Sequence, residues 1–349
     1  MIYIQDMSCI SPQNTFGPAA FERGVIDHEE NKYFAIEPDY KALIQKNSLR
    51  RMGKITRLGI GAGIPLLERN QDIDGIVFGT ANGGLEDCVK FLDQIIKYDE
   101  GTLTPSNFVQ STANAVTGTL AIMSQNNGYN VTYVSAGLAF EAALLDALMY
   151  LEDGTGKKYL IGSAEEISDY NYNIDRHRGL FKEIPVSSTK LLTSNTIGSV
   201  SGEGASMFIV GNARDNYLGI IKDVGMIQTT DPSMVDEYLA RLLTKNGLKY
   251  SDIETLIVGL NGDVEGDKYY HNLLETSFAT QTIITFKNLV GEHPSVSSFA
   301  LWLAVQQKPL PEEAIFRKGE PGNGNILIYN HYRGIKHGFI IVHNEKSLI

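Results

Sequence analysis

Residues 104–151 constrain the fold of this chain more than any other stretch. At their centre, 130–134 (NVTYV) alternate and are rich in β-formers, which predicts a strand. The tripeptide Ser-Ala-Gly at 135–137 leads directly into 138–151, whose apolar periodicity predicts a buried helix. A sharp strand-to-helix turn lies under free backbone N–H groups, and enzymes place acyl-accepting nucleophiles at such turns. The tip of this turn, called the elbow below, carries no nucleophile.

Strands and helices alternate along the chain in two rounds. The first round predicts helices at 40–68, 85–98, 107–123 and 138–151 and strands at 75–80, 130–134, 158–162 and 205–210. The second predicts strands at 217–224, 255–259, 282–285, 325–329 and 338–342 and helices at 231–247, 267–278 and 294–307. Gly59-Ile-Gly-Ala-Gly63 follows a helical pattern and lacks the dinucleotide fingerprint spacing, so close helix packing explains it better. Periodicity therefore predicts a layered α/β protein.

The composition of the chain indicates which partners and which cellular compartment to expect. A hydrophobic content of 43% fits a large globular core, and a net charge of −11 argues against nucleic acid as a partner. Two cysteines give no disulfide framework, which favours a reducing compartment. The first residues lack the basic region and following apolar region of a signal peptide. The most apolar predicted helix is interrupted by Glu141 and Asp146, which argues against a membrane span. We therefore expect a cytoplasmic protein without a membrane span.

Several motifs around the elbow resemble those of β-ketoacyl synthases, the decarboxylating condensing enzymes of the thiolase superfamily. A Pro-x5-Ser-x2-Asn-x3-Gly pattern is present, and a strand and elbow follow at the family's spacing with no gap. Further matches are an Arg-Arg-Met segment, a Gly-x-Ala-Glu strand end and a Gly-Glu-Gly-Ala turn. The matching positions are Arg50, Arg51, Met52, Pro105, Ser111, Asn114, Gly118, Gly162, Ala164, Glu165 and 202–205. Their shared order and spacing over roughly residues 50 to 345 carry the resemblance.

The resemblance implies a thiolase-like five-layer α-β-α-β-α fold. It further implies two pseudo-repeated halves, 1–211 and 212–349, packed as one compact unit. Each half contains alternating strands and helices and ends in adjacent strands, as the patterns above predict.

The family's nucleophile does not survive in this sequence. The gapless match places Gly137 at the position of the family's catalytic cysteine, and glycine forms no thioester. Ser135 lies two residues earlier, where the family has a small polar residue, and is expected to pack or cap. A serine acting as a substitute nucleophile would need an adjacent base.

The family's two histidines are also altered or displaced, whereas its lysine is matched by Lys287. Depending on the anchor chosen, Asn261 or Gly259 stands at the first histidine position. A Lys-x3-Gly match begins at Lys287 and places Glu292 at the second histidine, with His293 one residue later. Lys287 is expected to persist as a structural ion pair, and His293 to help begin the following helix.

The family's glycine-rich late loop is replaced here by bulkier residues at 330–337. We expect these residues to occupy the space where the acyl chain and enolate react. His331 and His337 are expected to have surface or packing roles, because no nucleophile is present for them to serve. Departures at four functional positions, the nucleophile, the two histidines and the late loop, predict relaxed catalytic demand on a retained fold.

A condensing-enzyme fold without its chemistry resembles a chain-length factor, the silent half of a ketosynthase heterodimer in type II polyketide and aryl-polyene systems. The resemblance implies that two subunits join edge to edge through the strand 130–134, which contains Tyr133. It also implies that the helix at 107–123 contributes to the interface and lines the partner's acyl tunnel. The residues predicted to set the tunnel depth are Val109, Thr112, Ala113 and Val116.

The implied partner is an active ketosynthase in a heterodimer, or a second copy of this chain in a homodimer. Acyl carrier proteins are typically acidic, so the acidic net charge predicts that the active partner supplies the docking patch. No cofactor or metal is expected. The alternative is an active β-ketoacyl synthase or another acyl-thioester-processing enzyme, such as a decarboxylase or acyl hydrolase, with a non-standard site.

Overall fold

A computed structural model describes residues 1–320, 322, 324–346 and 348. The strands are β1 Ile2–Ile10, β2 Lys32–Tyr33, β3 Gly75–Thr80, β4 Tyr129–Val134, β5 Lys158–Glu165, β6 Ser201–Gly202, β7 Gly204–Gly211, β8 Gly219–Gln228, β9 Thr255–Val258, β10 Thr282–Thr285, β11 Ile315–Arg317, β12 Asn325–Tyr332 and β13 Lys336–His343. The helices are α1 Lys46–Leu49, α2 Lys54–Arg69, α3 Leu85–Lys97, α4 Pro105–Gln110, α5 Ala115–Ser124, α6 Ala139–Glu152, α7 Asp169–His177, α8 Pro232–Lys245, α9 Lys268–Thr276, α10 Lys287–Val290 and α11 Ser297–Ala304.

The two halves of the chain have the same strand topology. In the first half the order across the sheet is β4-β3-β5-β7-β1, and in the second it is β10-β9-β12-β13-β8, with β11 added outside β10. If the five strands of each half are numbered along the chain, both orders are 3-2-4-5-1. The directions also correspond, because β3 and β9 each have parallel neighbours on both sides while the other pairings are antiparallel. This equivalence is what an internal duplication produces.

Helices pack on both faces of each half-sheet. The helices α6 and α11 lie in the middle, where their apolar residues share one core with strands of both halves. Outside the first half, α2 packs on the strands, and outside the second half α8 and α9 do so. The helix α6 is apolar on most of its circumference because it is covered on both sides. This arrangement gives five layers, with the elbow at the start of the central layer.

Two predicted helices are shorter than their sequence patterns indicate. The helix predicted at 40–68 is divided into the short α1 and α2, which begins at Lys54, and the one predicted at 107–123 is broken into α4 and α5. At this break, a Cβ on Gly83 would lie 2.9 Å from Ala113 Cα, so the turn after β3 packs directly on the backbone. A tertiary contact thus overrides helical periodicity between α4 and α5.

The glycines of α2 permit close helix packing, as the sequence predicted. Cβ atoms at these positions would meet the side chains of Val116, Tyr40 and Leu120 at distances between 2.4 and 2.9 Å. Glycine is therefore used here for close approach. Among the described residues, no helix is long and apolar enough to cross a membrane.

Candidate functional site

The elbow between β4 and α6 is closed by a tyrosine. Gly137 has a backbone φ of +88°, a conformation that side chains rarely adopt. A Cβ built on Gly137 would lie 2.3 Å from Tyr332 Cβ and 2.6 Å from Tyr332 Cγ. The side chain of Tyr332 therefore occupies the volume that a nucleophile at position 137 would need.

A tight hairpin holds Tyr332 at the elbow. Tyr332 ends β12, and β13 begins at Lys336 directly opposite it in the antiparallel ladder. Arg333, which follows Tyr332, lies over its ring at 4.8 Å and forms a 2.7 Å ion pair with Asp175 of α7. These contacts fix the hairpin between the elbow and α7, where the resemblance placed a glycine-rich loop.

Three positions aligned with family catalytic residues form one polar cluster. The Lys287 ammonium contacts Glu292 Oε2 at 2.5 Å, and Asn261 Nδ2 donates to the same oxygen at 3.1 Å. Lys287 is fully buried, and it also donates to the carbonyl of His331 at 3.3 Å. Lys287 thus forms the ion pair expected from the sequence.

The loop after β9 positions Asn261 for this contact. The buried Asp267 carboxylate accepts hydrogen bonds from the backbone N–H groups of Asn261 and Gly262, at 3.1 and 2.8 Å. Burial raises the pKa of Asp267 to about 6, although these two hydrogen bonds oppose the shift. Gly259, the other candidate for the first histidine position, faces Tyr270, Asn330 and Lys287. Asn261, and not Gly259, contacts Glu292.

The three buried histidines of this region have different environments. Burial, together with the charge of Lys287, lowers the pKa of His293 to about 3, and its Nδ1 is buried with no hydrogen-bond partner among the described residues. His331 Nε2 lies 2.9 Å from the carbonyl of Gly266, and its Nδ1 accepts from Gly334 N–H. His337 lies between the Tyr329 hydroxyl and the carbonyl of Thr229, at 2.9 and 3.0 Å. His331 and His337 therefore have packing roles in the interior, and neither is a surface residue.

Ser135 has a lysine beside it instead of an imidazole. The Lys336 ammonium donates to Ser135 Oγ at 3.3 Å and to the carbonyl of Ala136 at 2.7 Å. The shorter bond to the carbonyl holds the lysine across the outer side of the elbow.

A cavity of about 610 Å³ lies beside the elbow and the polar cluster. Its wall includes Asn261, Glu292, His293, Tyr332 and Glu165. Burial raises the pKa of Glu165 to about 8, against the opposing effect of hydrogen bonds from the Ala81 N–H and Ser295. The glutamate at the end of β5 is therefore protonated at neutral pH. Within the described residues, no group of three or more His, Cys, Asp or Glu side chains is placed to hold a metal ion.

The raised pKa of Glu165 predicts a pH-dependent stability. The pKa of Glu165 is about 8 in the folded protein and near 4.5 in the unfolded chain. The contribution of Glu165 to the free energy of unfolding is therefore fully present below pH 4.5 and is lost as the pH rises through 8. Urea unfolding at pH 6 and pH 9 should show that the wild type loses about 2 kcal/mol more than Glu165→Gln over this interval. The exposed Glu275→Gln variant is the control and should follow the wild type. Identical pH profiles for Glu165→Gln and the wild type would contradict the assignment.

The predicted interface residues lie around one edge of the sheet. Among the described strands, β4 pairs only with β3, so its outer edge is free. Val109 and Thr112 are exposed, Ala113 is half-buried, and Tyr133 is half-buried on β4. Val116 is only 2% exposed and packs against α2, so it has no surface toward a partner's tunnel. The tunnel and interface assignments of the other four residues stay predictions.

Sequence reasoning missed the contacts that close the site. The late-loop replacement indicated bulkier residues in the reaction space, but it did not identify Tyr332 as the residue on Gly137. The ion pair between Arg333 and Asp175 joins a hairpin to a surface helix far away in the chain, and no local pattern signals it.

Comparisons with known proteins agree with this architecture. Residues 29–208 match the family described as "Beta-ketoacyl synthase, N-terminal domain". The solved structure of the ishigamide ketosynthase/chain length factor superposes with a TM-score of 0.81 at 12% identity, covering 99% of both chains. A β-ketoacyl synthase from Burkholderia phymatum STM815 gives a TM-score of 0.74 at 14% identity, also covering 99% of both chains. No curated protein matches the sequence.

A third similar structure is a type II PKS acyl-carrier protein in complex with its ketosynthase bound to the hexaketide. It gives a TM-score of 0.72 at 15% identity, covering 98% of this chain and 99% of that one. At such identities the likeness establishes the fold, and the predicted thiolase-like α/β architecture is confirmed.

Proposed function

This chain belongs to the β-ketoacyl synthase family, and we propose that it is a catalytically silent subunit of the chain-length-factor type. In this proposal it pairs with an active ketosynthase in type II fatty-acid, polyketide or aryl-polyene biosynthesis. The contact between Gly137 and Tyr332 carries the proposal, because it leaves neither a nucleophile nor room for one at the elbow.

The polar cluster supports the same conclusion. Decarboxylative condensation needs neutral donors that stabilise a developing enolate oxygen. Here Glu292 and Asn261 stand close together where the resemblance places the family's histidines, and the carboxylate is engaged by Lys287. A carboxylate at this position would repel the enolate. The polar cluster therefore fits a structural role better than a catalytic one.

The free edge of β4 supports pairing. Strand edges with unpaired N–H and C=O groups are templates for strand addition, and folded proteins usually cover them. An antiparallel neighbour on β4 would continue the sheet into a second subunit. The similar ishigamide protein is itself named a ketosynthase/chain length factor.

Co-expression with an active ketosynthase encoded beside this chain's gene tests the proposal. We expect a heterodimer that survives affinity purification and sizing, in which mass spectrometry after incubation with acyl-carrier thioesters detects the acyl group only on the ketosynthase. An acyl adduct on this chain, or condensing activity of this chain alone, would overturn the silent role. A stable homodimer that ignores the ketosynthase would overturn the pairing.

A second candidate is an acyl-thioester-processing enzyme with a non-standard site. The observation that favours it is the 3.3 Å contact between Lys336 Nζ and Ser135 Oγ, since a lysine can activate a serine when it is deprotonated. In that case Ser135 becomes acylated, and Ser135→Ala abolishes the adduct while leaving the fold intact. The silent-subunit proposal expects no adduct in either protein.

The carrier-protein docking site, the cellular location and the division of the chain into two halves are also parts of this proposal. We expect the carrier protein to dock on the active partner because of the acidic net charge of this chain. The cytoplasmic location, the division of the chain at residue 211 and the absence of nucleic-acid, membrane and cofactor partners stay predictions.

A further inference from the structure

Tyr332 fills the elbow but not the cavity beside it. The volume of this cavity, about 610 Å³, lies within the range of roughly 300–1,000 Å³ that is typical of small-molecule sites. Both halves of the chain contribute to its wall, since β5 and α7 belong to the first half and the β12–β13 hairpin to the second. Because position 137 carries no nucleophile, the geometry supports non-covalent binding in this space.

Three polar side chains in the cavity wall have no hydrogen-bond partner among the described residues. They are the imidazole of His293 and the hydroxyls of Ser201 and Tyr332. His293 and Ser201 are each 7% exposed, and Tyr332 is half-buried. Of their polar atoms only His293 Nδ1 is sealed from solvent, so His293 Nε2 and the two hydroxyls are open to the cavity. Since interior polar groups are normally paired, these atoms are available to a ligand.

Backbone hydrogen bonds fix Ser201 beside the segment that carries His293. The N–H of Gly202 donates to the carbonyl of Glu292 at 2.9 Å, and the N–H of Glu292 donates to the carbonyl of Val200 at 2.8 Å. Ser201 is therefore paired with Glu292 in a short parallel bridge, and His293 is the next residue along the chain. Two of the three available groups thus lie on adjoining backbone segments.

All three available groups are uncharged at neutral pH. The pKa of His293, about 3, leaves its imidazole neutral, and burial raises the pKa of Tyr332 to about 12, which keeps its hydroxyl protonated. A neutral imidazole and a hydroxyl can each donate or accept a hydrogen bond. Such groups match carbonyl, amide and hydroxyl groups, whereas an ion needs a counter-charge when it leaves water.

The charged side chains of the wall do not change this preference. Most of them have partners within the chain, which are Lys287 for Glu292, Asp175 for Arg333 and backbone N–H groups for Glu166 and Asp263. The others lie at exposed positions, where water solvates them, and are Arg178, Glu265 and Lys268. A charged ligand beside His293 and Ser201 would therefore find no free counter-charge among the buried groups of the wall.

We propose that this cavity binds a small uncharged molecule whose apolar body carries carbonyl, amide or hydroxyl groups. Its polar groups would bond to His293 Nε2 and to the hydroxyls of Ser201 and Tyr332. Its apolar body would lie against other side chains of the wall, namely Ile167, Leu180, Phe181, Ile197 and Pro294. The inference goes beyond the proposed function, because pairing with a ketosynthase requires no ligand in this chain's own cavity.

Two probes of nearly equal shape test the preference for an uncharged ligand. 4-Hydroxybenzamide is neutral near pH 6, and 4-hydroxybenzoate is its anionic counterpart. We expect calorimetric titration of the wild type with the amide to give a Kd of about 1 mM, as is usual for a probe of this size. The carboxylate should bind at least about tenfold more weakly, because its charge has no buried counter-charge. This comparison uses the wild type alone and does not depend on how any variant folds.

Two conservative variants test the site itself. Tyr332→Phe keeps the ring on Gly137 and removes only the hydroxyl, and Ser201→Ala removes one side-chain oxygen. Each should weaken binding of 4-hydroxybenzamide about three- to tenfold, and the double variant at least about tenfold, because hydrogen bonds to the probe are lost. Tyr98→Phe makes the same change as Tyr332→Phe at a position that is 44% exposed and outside the cavity wall, and it should bind like the wild type.

Three results would overturn the inference. The first is the absence of binding of 4-hydroxybenzamide up to about 10 mM, tenfold above the expected Kd. The second is equal binding by the wild type and a folded double variant, which would place the probe elsewhere. The third is tighter binding of the carboxylate than of the amide, which would show that the exposed cations Arg178 and Lys268 decide the ligand. None of these results bears on the silent-subunit role, which is tested by co-purification and acylation.

Discussion

Replacing Gly137 with alanine should lower the free energy of unfolding by about 2–5 kcal/mol. Two costs add at this position. The φ of +88° is unfavourable for any residue with a Cβ, and the new Cβ would lie 2.3 Å from Tyr332 Cβ. The contact involves the Tyr332 Cβ and ring base, so a rotation of the side chain does not relieve it. Urea denaturation at constant pH measures the effect.

Gly154 provides the matched control for this prediction. It also has a positive φ, +72°, but a Cβ there would meet nothing within 4 Å. Gly154→Ala should therefore cost only the conformational part, about 1 kcal/mol. Equal losses for Gly137→Ala and Gly154→Ala would contradict the proposed filling of the elbow by Tyr332.

A double-mutant cycle separates the clash from the backbone effect. Truncating Tyr332 to glycine removes the Tyr332 Cβ, which would lie 2.3 Å from the new Cβ. It should therefore remove most of the steric cost of Gly137→Ala, with a coupling energy of about 1–3 kcal/mol. Gly137→Cys should be similarly destabilised, and it should acquire no condensing activity because Asn261 and Glu292 supply no imidazole. Restoring the cysteine sulfur at position 137 is therefore not expected to restore condensation.

Glu292→Gln should be the second strongly destabilising change, by about 3 kcal/mol. Lys287 is fully buried and its ammonium contacts Glu292 at 2.5 Å. Removing the carboxylate charge leaves the buried Lys287 cation without its ion-pair partner. Replacing both residues, as Lys287→Met with Glu292→Leu, should recover most of the loss because no isolated charge is then buried.

An exposed ion pair gives the control for Glu292→Gln. Lys308 and Glu22 are 2.6 Å apart, with side chains 58% and 55% exposed. Glu22→Gln should change the free energy of unfolding by about 0–1 kcal/mol, since water screens and solvates both groups. A loss for Glu292→Gln as small as that for Glu22→Gln would mean that Lys287 finds another partner or loses its proton.

The contacts at the elbow leave the architecture of the fold unchanged. The helix start is still present, and α6 still spans the central layer between the two half-sheets. The space over the turn is filled by Tyr332, and the neighbouring polar positions are joined by an internal ion pair.

The local parts of the fold followed from sequence patterns. The strand β4, the elbow and α6 were predicted close to their observed bounds, because alternation, a small-residue turn and apolar periodicity act over neighbouring residues. An ion pair of Lys287 was also predicted from the sequence, and the structure identifies Glu292, five residues later, as its partner. The order and spacing of the motifs carried the resemblance to β-ketoacyl synthases, and that resemblance predicted the five-layer arrangement.

Long-range packing decided the rest. The break between α4 and α5, the closure of Gly137 by Tyr332 and the ion pair from Arg333 to Asp175 each join segments remote in sequence. Local propensity contributes little to such contacts, because they depend on which surfaces the folded layers bring together. The sequence by itself thus determined that position 137 has no side chain, and only the tertiary structure decided that another side chain takes its place.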